Sequence, residues 1–333
     1  MNGATGKIAA WAAATLLAMG GVSDAVYAQA WKPSRDITIV VGTAPGGGQD
    51  AAARALQRMM TERKIVESPI TVINKPGGGG AIGWTFLNQH AGDAHYLQIA
   101  NPLLVTNHIM GRAVVSHADV TPLATLLAAT TAISVKADSP IKNGADLAER
   151  LKKDASSLSV SVGSSLGYTN HISVALITKA VGGDIRKIKA VVFQGSGEAM
   201  TALLGGHVDM IVTDASNTVP HLAAGRIRVL GVASPRRLSG ALAAIPTWKE
   251  QGIDVQVSTW RMVAGPRGMT SPQIAYWENA MRALVGTEEW KKDLERNLFE
   301  DMYLNSEDSR KFLRAQTDLF RGILTELGLA KNP

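Results

Sequence analysis

The run Ile37-Thr38-Ile39-Val40-Val41-Gly42-Thr43-Ala44-Pro45-Gly46-Gly47-Gly48-Gln49-Asp50 sets the architecture. Apolar and β-branched residues at 37–41 make a strand-sized segment, and a glycine loop follows at once. Residues 50–64 carry Ala51, Leu56, Met59 and Met60 among charged neighbours, which predicts a helix. Ile70-Thr71-Val72-Ile73 gives the next strand. Strand, helix and strand over this length form a crossover unit, so the two strands are expected to be parallel.

The second strand also runs into a glycine loop, Asn74-Lys75-Pro76-Gly77-Gly78-Gly79-Gly80-Ala81-Ile82-Gly83. Glycine lets a backbone turn its N–H groups inward and lets a ligand come near. A glycine turn that opens a helix adds the positive end of the helix dipole. Two such loops side by side make an anion site without any charged side chain. Asp50, at the start of a helix, favours that dipole but repels a bound anion, so it reads as a cap.

The alternation continues. Further strands are expected at 96–100, 133–135, 159–162, 190–193, 208–212 and 229–233. Helices are expected at 143–153, 170–181, 198–204, 271–284, 288–297 and 306–327. Asn143 is an N-cap, and Pro272, Glu288 and Ser306 suit helix starts. The pattern predicts an α/β protein of two lobes with a cleft between them. Residues 31–131 plus 258–333 form lobe 1 and residues 132–257 form lobe 2. Each lobe is a mixed, mostly parallel sheet flanked by helices.

Ligands in such folds bind outside the carboxyl ends of strands. Three later loops fall there: residues 163–169, 194–197 and 213–217, all rich in Gly, Ser, Thr and Asn. Their hydroxyl and N–H groups suit neutral capture of carboxylate oxygens. The expected ligand-binding set is Thr43, Ala44, Pro45, Gly46, Gly47 and Asn101 from lobe 1. Lobe 2 adds Gly163, Ser164, Ser165, Thr169, Ser196, Gly197 and Asp214.

Bulk properties narrow the class. The chain has 333 residues, 46% hydrophobic and 19% charged, which fits a globular protein of two domains rather than a disordered one. Its net charge of +6 favours anions through the overall field. No basic segment interleaves with aromatics, so nucleic acid is not an expected partner. The absence of cysteine excludes disulfides, thiol nucleophiles and Cys metal sites. The seven histidines show neither H-x-x-x-H nor H-E-x-x-H spacing, so no metal or other cofactor is expected. At the N-terminus Lys7 precedes an apolar run at 8–19, and Val26-Tyr27-Ala28 supplies small residues where a signal peptidase reads. Residues 1–28 are expected to be a secretory signal peptide.

Two enzyme-like motifs compete. Gly46, Gly48 and Ala51 match a dinucleotide loop, but Asn74 stands where an acid should hold the ribose. Gly163-Ser164-Ser165-Leu166-Gly167 is a literal G-x-S-x-G between a strand and a helix, so a secreted serine hydrolase using Ser165 is the rival reading. The triad order puts a histidine late in the chain, yet 112 residues follow His221 without another. Ser165 therefore reads as a hydrogen-bonding or capping residue, and no catalytic residue is assigned.

At these loops the chain resembles the periplasmic receptors of tripartite tricarboxylate transporters, the Bug family. Their P-F-x-A-G-G-x-x-D is met by residues 42–50, with Ala53-Arg54 after it. Their N-[RK]-P-G-x-G-G-x-x-G is met by residues 74–83, and their G-S-x-x-A-[LM]-x-x-L-L-G-G-x-V-D by residues 195–209. His221-Leu222-Ala223-Ala224-Gly225-Arg226-Ile227-Arg228 resembles a fourth motif. The resemblance implies a type II-like clamshell periplasmic binding protein. It also implies a small organic carboxylate held by the first glycine loop, delivery to integral-membrane permease subunits, and a monomer. Thr43 departs from the family's usual aromatic residue, and Thr213-Asp214 from its Asp-Asn. The 163–169 loop differs in length from the common form. Ligand identity would be set at these positions.

Overall fold

β1 (Ile37–Val41), α1 (Gly48–Glu62) and β2 (Ile70–Asn74) form the expected crossover, with β1 and β2 parallel from Ile37↔Ile70 to Val41↔Asn74. α1 turns Leu56, Met59 and Met60 onto the sheet as its spacing predicts, but Ala53 takes the buried place expected of Ala51, which is exposed. The computed structural model describes residues 31–46, 48–163, 165–193 and 195–331. The expected signal peptide, Gly47 and Ser164 lie outside them.

The first half continues with α2 (Ala81–Asn88), β3 (Tyr96–Ala100) and α3 (Leu103–Ile109). Then comes β4 (Val120–Lys136), 17 residues long and buried along almost its whole length. α4 (Gly144–Lys153), β5 (Ser159–Ser161), α5 (Thr169–Ala180), β6 (Lys189–Val191) and α6 (Ser196–Leu204) follow. β7 (Met210–Asp214), α7 (Val219–Ala223) and β8 (Ile227–Val232) come next. The chain ends with β9 (Ser258–Pro266), α8 (Ser271–Val285), α9 (Glu288–Asn297), β10 (Phe299–Leu304) and α10 (Ser306–Glu326).

The protein is an α/β fold of mixed sheets flanked by helices. Strand order is β2-β1-β3-β9-β4-β7-β5-β6, with β10 and β8 also paired to β4. Pairing is parallel in β2-β1-β3 and in β7-β5-β6. It is antiparallel wherever β4 or β9 takes part. β4 changes partners midway. Its residues up to Thr130 pair with β9 and β10, and from Thr131 onward it pairs with β7 and β8.

Sequence reading found only residues 133–135 of β4. The rest, with Ala124, Ala128 and Ala129 and with Pro122 beside a register shift, has weak strand propensity. Tertiary burial between strands on both edges makes it a strand. α2, α3, β9 and β10 were also beyond the expected set. The caps follow the sequence: the Asn143 side chain accepts the Asp146 N–H, and Thr270 with Gln273 forms a capping box on α8. Trp248, Trp260, Trp277 and Trp290 are fully buried core residues. Trp260 lies inside β9, donates to Gln316 at 3.3 Å and packs edge-on against Phe312.

Candidate functional site

The first glycine loop is organised by a carboxylate. Asp50 is buried in the first turn of α1. Its Oδ2 accepts the Gly46 N–H and the Arg54 Nε–H, each at 2.9 Å. Its Oδ1 accepts from Asn74 Nδ2 at 2.9 Å, and the same amide donates to the Thr43 carbonyl at 3.0 Å. Burial by itself raises the Asp50 carboxyl. The hydrogen bonds from Arg54, Gly46 and Asn74 outweigh it and hold the group at about 2. Asp50 is thus an ionised clasp for the loop, as its capping role suggested.

The second glycine loop packs instead of reaching outward. Gly77, Gly78, Gly79 and Gly80 all have positive φ, a conformation open to glycine and costly for other residues. Asn107 of α3 donates to the Gly79 carbonyl at 3.0 Å. A Cβ on Gly42 would stand 2.9 Å from the Gly80 Cα, so the two loops touch backbone to backbone. This loop braces the first one.

Across β4 the loops are rich in hydroxyls. Ser196, at the start of α6, takes hydrogen bonds from Asn217 Nδ2 at 3.2 Å and from Thr213 Oγ1 at 3.4 Å. Asn217 Nδ2 also donates to Thr213 Oγ1 at 3.1 Å. Thr169 Oγ1 lies 2.8 Å from Thr259 Oγ1, a buried bond that ties the start of α5 to β9. His171 accepts the Gly167 N–H on Nδ1 at 3.0 Å and so fixes the 163–169 loop. Burial lowers its imidazole to about 4, which keeps it neutral and able to accept.

These two groups of loops meet at Arg261, a β9 residue absent from the expected set. Its Nη1 donates to the carbonyls of Thr259 at 3.2 Å and Trp260 at 3.3 Å. Its Nη2 lies 3.0 Å from where a Cβ on Gly48 would stand, at the first residue of α1. The same nitrogen is 3.7 Å from Asp214 Oδ2, at the carboxyl end of β7. Burial raises the Asp214 carboxyl, against the opposing pull of Arg261. Burial likewise raises the Tyr168 hydroxyl, which lies in the electrostatic reach of this pair.

Several expected ligand contacts are engaged within the protein. The Gly46 N–H serves Asp50. The Asn101 side-chain oxygen accepts the Leu103 N–H at 3.0 Å, just before α3. Ser165 Oγ accepts from Arg112 at 2.8 Å and donates to the Leu166 carbonyl at 3.0 Å, with no histidine among these partners. Gly163 gives its carbonyl to the Phe193 N–H at 3.2 Å. Others remain open. Ala44, Pro45, Ser196 and Gly197 are exposed, and the space beside Gly197 is free. Thr43 Oγ1 is buried without a hydrogen-bond partner in the protein. Among the described residues no cluster of three or more His, Cys, Asp or Glu side chains could hold a metal, and no helix is long and apolar enough to cross a membrane. Arg261 and Asn74 had readable signals: a lone arginine among the apolar residues Trp260, Met262, Val263 and Ala264, and a polar residue closing a strand between two glycine loops.

The family model described as tripartite tricarboxylate transporter family receptor matches residues 52–329. A UPF0065 protein of Cupriavidus necator is 30% identical over 325 residues, 96% of each chain. A TctC solute-binding protein from Polaromonas superposes with a TM-score of 0.72 at 27% identity, over 89% of this chain and 99% of that one. A Rhodopseudomonas palustris protein solved with adipate superposes with a TM-score of 0.79 at 25% identity, over 90% and 99%.

Proposed function

Because the chain belongs to the tripartite tricarboxylate transporter receptor family, we propose that it captures a small organic carboxylate and delivers it to the membrane subunits of such a transporter. It does so as a monomer in the periplasm, after the signal peptide at 1–28 is removed. One observation carries this reading: the N-terminus of α1, braced by the second glycine loop, converges through Arg261 on the hydroxyl-rich loops after β7. A helix N-terminus and neutral donors favour an anion over a cation. The adipate bound to the R. palustris relative supports a carboxylate as the ligand class.

Binding is a hinge closure, with loops of both lobes closing on the anion. Lobe 1 is residues 31–131 plus 258–333, and lobe 2 is residues 132–257. The change of partners at Thr130 and Thr131 of β4 and the start of β9 at Ser258 support these limits. No catalytic step is assigned. The engagement of Ser165 by Arg112 and Leu166 gives the hydrolase reading no support.

A thermal-shift screen against mono-, di- and tricarboxylic acids, run beside an esterase assay, tests the proposal. A binding acid raises the melting temperature by mass action, equivalent to about 2.7 kcal/mol at a hundred times its Kd. If no acid shifts the transition, the receptor reading fails, and if Ser165→Ala then abolishes ester cleavage, the hydrolase reading takes its place.

A further inference from the structure

Arg261 is a charged residue inside an apolar strand. Its neighbours Trp260 and Met262 are fully buried, and Arg261 itself is 6% exposed. A guanidinium in that position needs partners. Nη1 has them in two carbonyls of its own strand. Nη2 is different. Its ion partner Asp214 is 3.7 Å away, beyond hydrogen-bond reach, and its other neighbour is the first residue of the 15-residue helix α1. Guanidinium and helix dipole therefore point positive charge at one place, where the glycine at position 48 leaves room.

We propose that Arg261 Nη2 takes the ligand's carboxylate, and that Asp214 selects ligands bearing a hydroxyl or ammonium group on the carbon next to that carboxylate. This rests on the carboxylate-receptor reading above. The Arg261 guanidinium 3.7 Å away favours the ionised form of Asp214, and an ionised Asp214 repels a second carboxylate at that nitrogen, so a plain acid binds against it. A donor on the adjacent carbon lies within hydrogen-bond span of the carboxylate it flanks. It reaches Asp214 and replaces repulsion with a charge-assisted bond. Burial of Arg261 strengthens both effects. The pair also joins the two sheets, because Arg261 pairs with Leu127 and Asp214 with Thr131 on either side of the β4 switch. Ligand choice and closure are thereby read by the same two side chains.

The test starts from the thermal-shift screen, in which failure of every carboxylate overturns the receptor reading itself. Each acid that binds is then compared by calorimetry with its 2-hydroxy or 2-amino counterpart, beginning with propionate against lactate and succinate against malate. The substituted acid should bind the wild-type chain about ten- to a hundredfold more tightly. Arg261→Gln should weaken both members of a pair by about a hundredfold, and Arg261→Lys, which lacks the planar fork, by less. Asp214→Asn should tighten the plain acid and shrink the preference. Equal affinity within every pair, or a folded Arg261→Gln variant that binds like wild type, overturns this inference alone. If Arg261→Gln does not fold, Asp214→Asn decides, and an unchanged preference overturns the proposal.

Discussion

Asn74 donates a hydrogen bond to Asp50 Oδ1 at 2.9 Å and thereby fastens the end of β2 to the start of α1. The second Asp50 oxygen holds Gly46 and Arg54, so one carboxylate determines the course of the first glycine loop.

Replacing that carboxylate should loosen the loop before it unfolds the protein. Asp50→Ala removes hydrogen bonds from Gly46, Arg54 and Asn74, of which the Asn74 amide keeps the Thr43 carbonyl as partner. The expected cost is about 1–3 kcal/mol in urea unfolding. Ligand affinity should fall further than stability does. The carboxyl lies at about 2 in the fold against 3.8 when free. A lowered pKa means that its contribution is complete above pH 3.8 and lost as pH falls toward 2.

His171 gives a second pH signal, at milder acidity. Its imidazole lies at about 4 in the fold against a free value of 6.5. The unfolded chain therefore binds the proton more readily between those values. Stability from this site is complete above pH 6.5 and declines as pH falls toward 4, by about 3 kcal/mol in all. His171→Gln offers an acceptor for the Gly167 N–H that does not titrate. Unfolding midpoints measured from pH 7.5 to 4.5 should be flatter for this variant. An identical slope would remove His171 from the account.

Two glycines should respond in opposite ways. Gly42→Ala drives a Cβ to 2.9 Å from the Gly80 backbone, where neither loop can give. It should lower stability by about 1–3 kcal/mol and weaken binding by separating the loops. Gly197 has free space around it in α6. Gly197→Val should leave the melting temperature within a few degrees of wild type while obstructing the ligand. Unchanged carboxylate affinity in that variant would take Gly197 out of the site.

The Thr169–Thr259 bond can be measured as a coupling. Thr169→Val leaves Thr259 Oγ1 without its 2.8 Å partner in a buried setting and should cost about 1–2 kcal/mol. The double variant Thr169→Val, Thr259→Val should cost less than the two single changes added together. Strict additivity would show that the hydroxyls do not support one another.

Much of the fold was readable because its helices and most of its strands obey local rules. α1 has its periodic face, α4 its Asn143 cap and β1 its apolar run before glycine. β4 was not readable beyond residues 133–135, because alanine and threonine form a strand there only through burial on both sides. The first loop reads in sequence as an anion nest, whereas the engagement of its Gly46 N–H is not legible there, since that group answers to an acid four residues on. Arg261 was missed for another reason. Its partners Gly48 and Asp214 lie far from it in sequence, and only the topology brings them together. Ser165 sits in a motif that matches a nucleophile elbow, and its observed partner Arg112 comes from a segment with no motif at all.

The sharing of β4 also governs how the molecule comes apart. Its first part lies between β9 and β10, and its last part between β7 and β8. Withdrawing the strand strips a central ladder from both sheets in one event. Heating should therefore melt the two halves in a single cooperative step. Neither half can be excised as a fragment without taking part of the other's framework, so circular permutation belongs at exposed turns such as the one at Gly182, away from Thr130 and Thr131.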